Sequence, residues 1–296
     1  MRPIALSLLF LLATAAQAST PIDQTRPLDP RGKVEVQNVK GRIQVRAWDR
    51  PEVQIRGSLG EGVEKLEIDG DRGSLEIKVR YPRNGGWGGK SSEPSDLLLM
   101  VPLRASLDLH AVSADVDVSG VAPDSLSIES VSGQVTVAAA PGTLSVESVS
   151  GDVTVTANSP EVSINTVSGG VDLRGRLDGK VEAETVSGSI RVAVKDQALR
   201  DLSTNSVSGD TRVSTALARN GKLSLSSVSG GLLVVLPRAV SAHVTAESFS
   251  GTLRAPDATI ERPRHGPGSS LDARYGSGEG EVTLETFSGD AELRLE

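Results

Sequence analysis

The chain has 296 residues, a formal net charge of −7, no Cys and only 2% aromatic residues. Without Cys there is no disulfide framework, no Cys-ligated zinc or iron–sulfur site and no Cys for lipidation. So few rings argue against a carbohydrate enzyme with a stacking cleft, and the acidic balance argues against a general nucleic-acid binder, which needs a basic face to release phosphate counterions.

The first segment reads as a secretory leader. Arg2 gives a positive start, residues 4–12 are almost wholly apolar, and Ala16-Gln17-Ala18 is a small-x-small cleavage pattern ahead of Ser19. The apolar run ends well short of the roughly 20 residues a membrane span needs. The mature chain is therefore expected to start at Ser19 and to be exported to the periplasm, the cell envelope or the outer surface. No transmembrane segment is expected within it.

Residues 33–109 carry short alternating runs such as Val34, Val36, then Ile43, Val45, then Leu75, Ile77, Val79. Period-two alternation of this kind marks half-buried strands. Residues 19–110 are read as a less regular β region with a cap. Its Gly-rich loop holds Trp87 among four glycines, either as an anchor for a partner or folded down over the first coil.

Residues 111–296 are governed by a repeat. Val-Ser-Gly recurs at Val131, Val149, Val167, Val186, Val207 and Val228, and Phe-Ser-Gly takes its place at Phe249 and Phe287. Counted from Ala114, the third positions advance by 19, 18, 18, 19, 21, 21, 21 and 38 residues. The last step hides a divergent repeat or an insertion. Each unit reads strand, corner, strand: Leu126 and Ile128 before one corner, Val135 and Val137 after it. Residues 195–202 are read as a short turn between units.

A hairpin meander and a β-solenoid both fit such a unit. Near-identity of successive units favours the solenoid, where equivalent residues stack about 4.8 Å apart and like is rewarded for meeting like. The predicted fold is all-β, a parallel β-solenoid with coils of about 18–21 residues. In this reading the corner Val and Phe residues form an inner seam, and the corner Gly is chosen for positive φ. Residues 261–280 are a polar insertion expected to cap the last coil.

The opening run from Gly32 to Val45, the following Trp48-Asp49 and units such as Ser148 to Val153 resemble the bacterial DUF4097 family of β-strand-repeat proteins, often labelled adhesins. The resemblance implies an exported solenoid of the adhesin-head type. The family has no accepted catalytic residues to place here.

Chemistry is sparse. His110, His243 and His265 fall on different units without metal-ligand spacing, and no cofactor is expected. Apart from Ser119-Gly120 and Ser277-Gly278, every Ser-Gly belongs to the repeat, and no Ser has the setting of a nucleophile. Two residues before the corner stand Glu129, Glu147, Glu184, Glu247 and Glu285, with Asn165, Asn205 and Ser226 between. Glu129 and Glu147 would be neighbours on an acidic face, either a weak cation or carboxylate-pair site or a solvated row. Arg262, Arg264, His265 and Arg274 form a basic group that could meet anionic envelope polymers. The expected function is non-enzymatic: an adhesin-like or envelope-scaffold surface binding an envelope protein or polysaccharide. A polysaccharide lyase or hydrolase on a β-helix, and an envelope sensor binding a membrane protein, are the alternatives.

Overall fold

A computed structural model describes residues 19–82, 92–263 and 267–296. The predicted leader, Trp87, Arg264 and His265 lie outside the described residues. The described chain is β-structure throughout, with no α-helix.

The N-terminal part contributes β1 (Thr20–Pro27), β2 (Lys33–Trp48), β3 (Glu52–Leu59), β4 (Lys65–Gly70), β5 (Ser74–Arg80) and β6 (Ser95–Pro102). The central coils are β7 (Ser106–Ser119), β8 (Ser125–Ser130), β9 (Val135–Ala139), β10 (Thr143–Ser148), β11 (Val153–Thr166), β12 (Val171–Thr185), β13 (Ile190–Ser206) and β14 (Thr211–Ser227). The C-terminal part adds β15 (Leu232–Leu236), β16 (Ala242–Ser248), β17 (Leu253–Arg254), β18 (Ile260–Glu261), β19 (Ser269–Tyr275), β20 (Gly280–Thr286) and β21 (Ala291–Leu295).

From β7 to β14 every coil lies parallel on the one before it, in register on both walls, with register shifts confined to the second corner. Leu126, Leu144, Val162, Val181, Leu202 and Leu223 form one stacked column, and Val135, Val153, Val171 and Ile190 another on the facing wall. Both columns are buried. Each such side chain contributes roughly 1.5–3 kcal/mol of burial before chain entropy is counted, and stacking identical shapes fills the space between walls without voids.

Sequence order and stacking order part company at both ends. β2 lies between β7 on one side and β5 with β6 on the other. At the far end β20 and β21 are inserted between β14–β15 and β16–β17. The long last step of the repeat is thus an insertion: β18 and β19 carry the chain across the outside of β16 before it returns beneath it. Antiparallel strands cover both ends, β4 on β5, β3 and β1 beyond β6, and β19 with β18 beyond β16. Such strands shield parallel edges that would otherwise template further pairing.

The second corner of each coil is more varied than the first. The longer coils place Asp196 and Asn220 in the left-handed region there, at φ of 58° and 57°. Residues 195–202 belong to β13 and accommodate a register shift against β14, in place of the separate turn expected from sequence.

Two expectations are corrected. The corner Val and Phe side chains do not line the core: Val131 is 46% exposed and Phe287 55%. Leu126, Ile128 and Ser130 alternate inward, so Val131 faces out. The corner Gly is also not selected by φ, since of these only Gly209 has a positive value. A Cβ on Gly151 would stand 1.9 Å from the carbonyl oxygen of Gly133, and one on Gly169 2.1 Å from that of Gly151. Close approach between coils imposes the Gly column.

Candidate functional site

The site is built from the corner tetrapeptide. In the Ser-Gly units the residue before the corner Val or Phe is a buried Ser or Thr, and in most of them its hydroxyl closes the turn on the corner Gly. Ser148 Oγ accepts from Gly151 N at 3.2 Å and donates to Gly151 O at 3.0 Å. Thr166 Oγ1 donates to Gly169 O at 2.9 Å, and Ser248 Oγ accepts from Gly251 N at 2.7 Å. A buried polar group must be paired, and here the pairing is local, which suits Ser or Thr; Asn38 and Ala111 stand at this position before Val39 and Val112. The corner backbone continues the ladder: Val149 N donates to Ser130 O at 3.1 Å and Ser150 N to Val131 O at 2.9 Å. Ser150 Oγ adds a bond to Val131 O at 3.1 Å.

With the hydroxyl inside, the next side chain must point out. Val39, Val112, Val131, Val149 and Val167 are all exposed, and Val186, Val207, Val228, Phe287 and Phe249 continue the row in stacking order. Ten side chains at the coil spacing make an apolar stripe about 43 Å long. At its end the rings of Phe249 and Phe287 stack with centroids 4.6 Å apart and planes 7° from parallel.

Beside the stripe runs the acidic column. Glu147 sits opposite Glu129 and Asn165, Asn165 opposite Glu184, and Glu184 opposite Asn205. The column continues through Ser226, Glu285 and Glu247 to Ser270 on β19. Asn205 Nδ2 donates to Glu184 Oε1 at 2.7 Å. His110 heads the column, with Nδ1 3.1 Å from Glu129 Oε2 and Nε2 3.2 Å from Asp108 Oδ1.

Stripe and column enclose a groove floored by the buried corner hydroxyls. Its C-terminal part, from Asn165 to Phe249, has a volume of 910 Å³ and is closed by Pro263, Gly268, Ser269 and Ser270. A shallower part of 460 Å³ runs from His110 to Val167 and meets the first at Asn165 and Thr166.

The remaining candidates lie elsewhere. Arg262 follows β18 at the Ser269 end of β19, while Arg274 faces His243 at the other end, so these two do not converge. Trp48 is half-buried, with Nε1 donating to Glu52 O at 2.8 Å and the Arg50 guanidinium 5.0 Å from its ring. The Asp after the corner Gly is a structural cap: Asp152, Asp210 and Asp290 accept the backbone N–H of Gly170, Gly231 and Thr252 in the neighbouring coil, at 2.8–2.9 Å. Arg191 and Arg212 are directly in register on neighbouring coils. Among the described residues no group of three or more His, Asp or Glu is placed to hold a metal.

The first coils of this architecture carry its family signature. The Toastrack DUF4097 family model matches residues 28–201. The chain belongs to this family. The DUF4097 fold recurs in solved structures of distant sequence. A candidate lipid-binding protein from Parabacteroides distasonis shares 13% identity at a TM-score of 0.52, over 92% of this chain and 96% of its own. A candidate adhesin from the same species shares 13% identity at a TM-score of 0.51, over 93% and 97%. No curated protein matches the chain.

Proposed function

We propose that this DUF4097 protein is an exported, non-enzymatic binding protein of the cell envelope, acting through the long corner face of its solenoid. The observation that carries this reading is the exposed apolar stripe beside the Ser- and Glu-lined groove. Exposed Val and Phe in an unbroken row lower solubility without adding to the core, and extended apolar patches rimmed by polar residues mark interaction surfaces. The face repeats coil after coil, which suits recognition of an extended partner rather than chemistry at one atom. Adhesion and lipid binding, the roles named for the two Parabacteroides proteins, are both tasks for such a surface. The leader pattern at residues 1–18 supports export.

The test is retention of purified protein, residues 19–296, on separate envelope fractions of the producing bacterium: peptidoglycan, outer-membrane glycolipid and detergent-solubilised membrane protein. Retention on one fraction, lost when Val186, Val207 and Val228 are changed to Ser, supports the reading. Retention on none overturns it. Fragment release from the polysaccharide fraction would replace it with the lyase or hydrolase alternative.

A further inference from the structure

We infer that the C-terminal part of the groove binds a basic, apolar-bearing stretch of extended polypeptide from another protein. This rests on the reading of the corner face as a binding surface and names what it would take.

The two walls of the groove ask for different things of one ligand. One wall is apolar and ends in the stacked Phe287 and Phe249. The other carries Glu184, Glu285 and Glu247, and among the described residues no Lys, Arg or His lines the groove. Glu285 and Glu247 are directly in register, and neither has an ion-pair partner among the described residues. Carboxylates aligned beside an apolar strip in a concave site favour a partner that presents cations and apolar side chains together. An anionic glycolipid or nucleic acid would meet like charge.

A third observation stands apart from the carboxylates. Ser269, at the closed end of the groove, is 9% exposed, and its hydroxyl has no hydrogen-bond partner. A buried hydroxyl left unpaired is destabilising, and this one marks the closed end as incompletely satisfied in the free protein. Asn165, Ser226 and Ser270 offer further hydrogen-bonding groups along the same wall.

The spacing also suits an extended chain. Two coils advance about 9.6 Å, and one turn of a polyproline-type strand, three residues, advances about 9.3 Å. A chain lying along the groove can therefore set every third side chain against every second coil. A second copy of this protein is disfavoured as the occupant, because it would bring the same carboxylate column on a chain of net charge −7.

The test is fluorescence anisotropy with a labelled synthetic peptide of repeated Leu-Pro-Lys triplets, compared with its Leu-Pro-Glu counterpart. The Lys peptide is expected to bind, more weakly as salt rises, and the Glu peptide is not. The double variant Glu247→Gln/Glu285→Gln is expected to weaken binding about tenfold, and Phe249→Ser comparably, with melting curves confirming the fold. Glu76→Gln, at the other end of the rod, loses the same kind of charge and is expected to change nothing. Equal binding of both peptides, or binding unaffected by the groove variants, overturns the inference. So does a concentration-dependent dimer in sedimentation that Phe249→Ser dissociates, or preferential capture by phospholipid vesicles. Envelope retention that survives Glu247→Gln/Glu285→Gln while the Lys peptide fails to bind removes this inference and leaves the broader function standing. Loss of all envelope retention with peptide binding intact does the reverse.

Discussion

Phe287 lies between Val228 and Phe249 in the corner row, although it follows both in the chain. Its N–H donates to Ser227 O at 3.2 Å, and Phe249 N donates to Thr286 O at 3.2 Å. The stacked rings therefore bind the inserted coil to the one outside it. Offset or parallel ring pairs contribute about 0.5–1.5 kcal/mol beyond area burial. Urea unfolding of Phe249→Ala, Phe287→Ala and the double variant is expected to give a coupling of about 1 kcal/mol. Additive single effects would show that the rings are independent.

The Gly column makes a sharper distinction. Gly151→Ala would drive a Cβ to 1.9 Å from the Gly133 carbonyl oxygen, whereas one on Gly170 meets nothing nearer than Asp152 Oδ1, at 3.4 Å. Two coils cannot separate locally without breaking ladder bonds on both walls. Gly151→Ala is expected to cost roughly 3 kcal/mol or more, and Gly170→Ala less than about 1. Denaturant midpoints of the two variants, side by side, decide it.

Thr204 occupies a core position between Ala183 and Leu225. It is fully buried, and its hydroxyl has no partner. Thr204→Val replaces that hydroxyl with a methyl of similar size. It is expected to raise stability by about 1 kcal/mol, seen as a higher melting temperature. A lower one would mean that the hydroxyl is paired in solution.

Arg219 on β14 holds Glu279, in the turn leading into β20, through Nη2–Oε1 at 2.7 Å and Nε–Oε2 at 3.1 Å. The hydrogen bond from Arg219, aided by its charge, pulls the Glu279 carboxyl below the usual carboxylate range. A carboxyl lowered in the folded state stabilises above its unfolded value, about 4.3, and loses that contribution as pH falls through the folded one. The stability gap between the parent and Glu279→Gln is expected to be present at neutral pH and to close in acid. Chemical denaturation repeated across the acid range measures it, and a gap independent of pH would contradict the assignment.

Strand, corner and stacked coil are all legible in the repeat, because Val and Leu at period two and identical neighbours leave few other arrangements. The groove was half legible. Stacking brings Glu129 and Glu147 together as their shared position predicts, but the wall opposite them was placed inside the core. Hydrophobicity pointed Val131 inward, while the alternation of Leu126, Ile128 and Ser130 already pointed it out. Continuing the period through the Ser was the available signal. The order of the end coils was not legible, since units this alike pair equally well with any neighbour. Only contacts such as Arg219 with Glu279 distinguish one arrangement.

The insertion of β20 and β21 beneath β16 and β17 has a consequence for how the molecule is made. From β7 to β14 the coils can be laid down one by one as the chain emerges, each on a finished template. That vectorial growth stops there. Residues 242–254 are synthesised before residues 280–295 but have no parallel partner until the later segment arrives. The final coils must close together, as one concerted event, and a chain interrupted between them would leave the β14 edge open to another molecule.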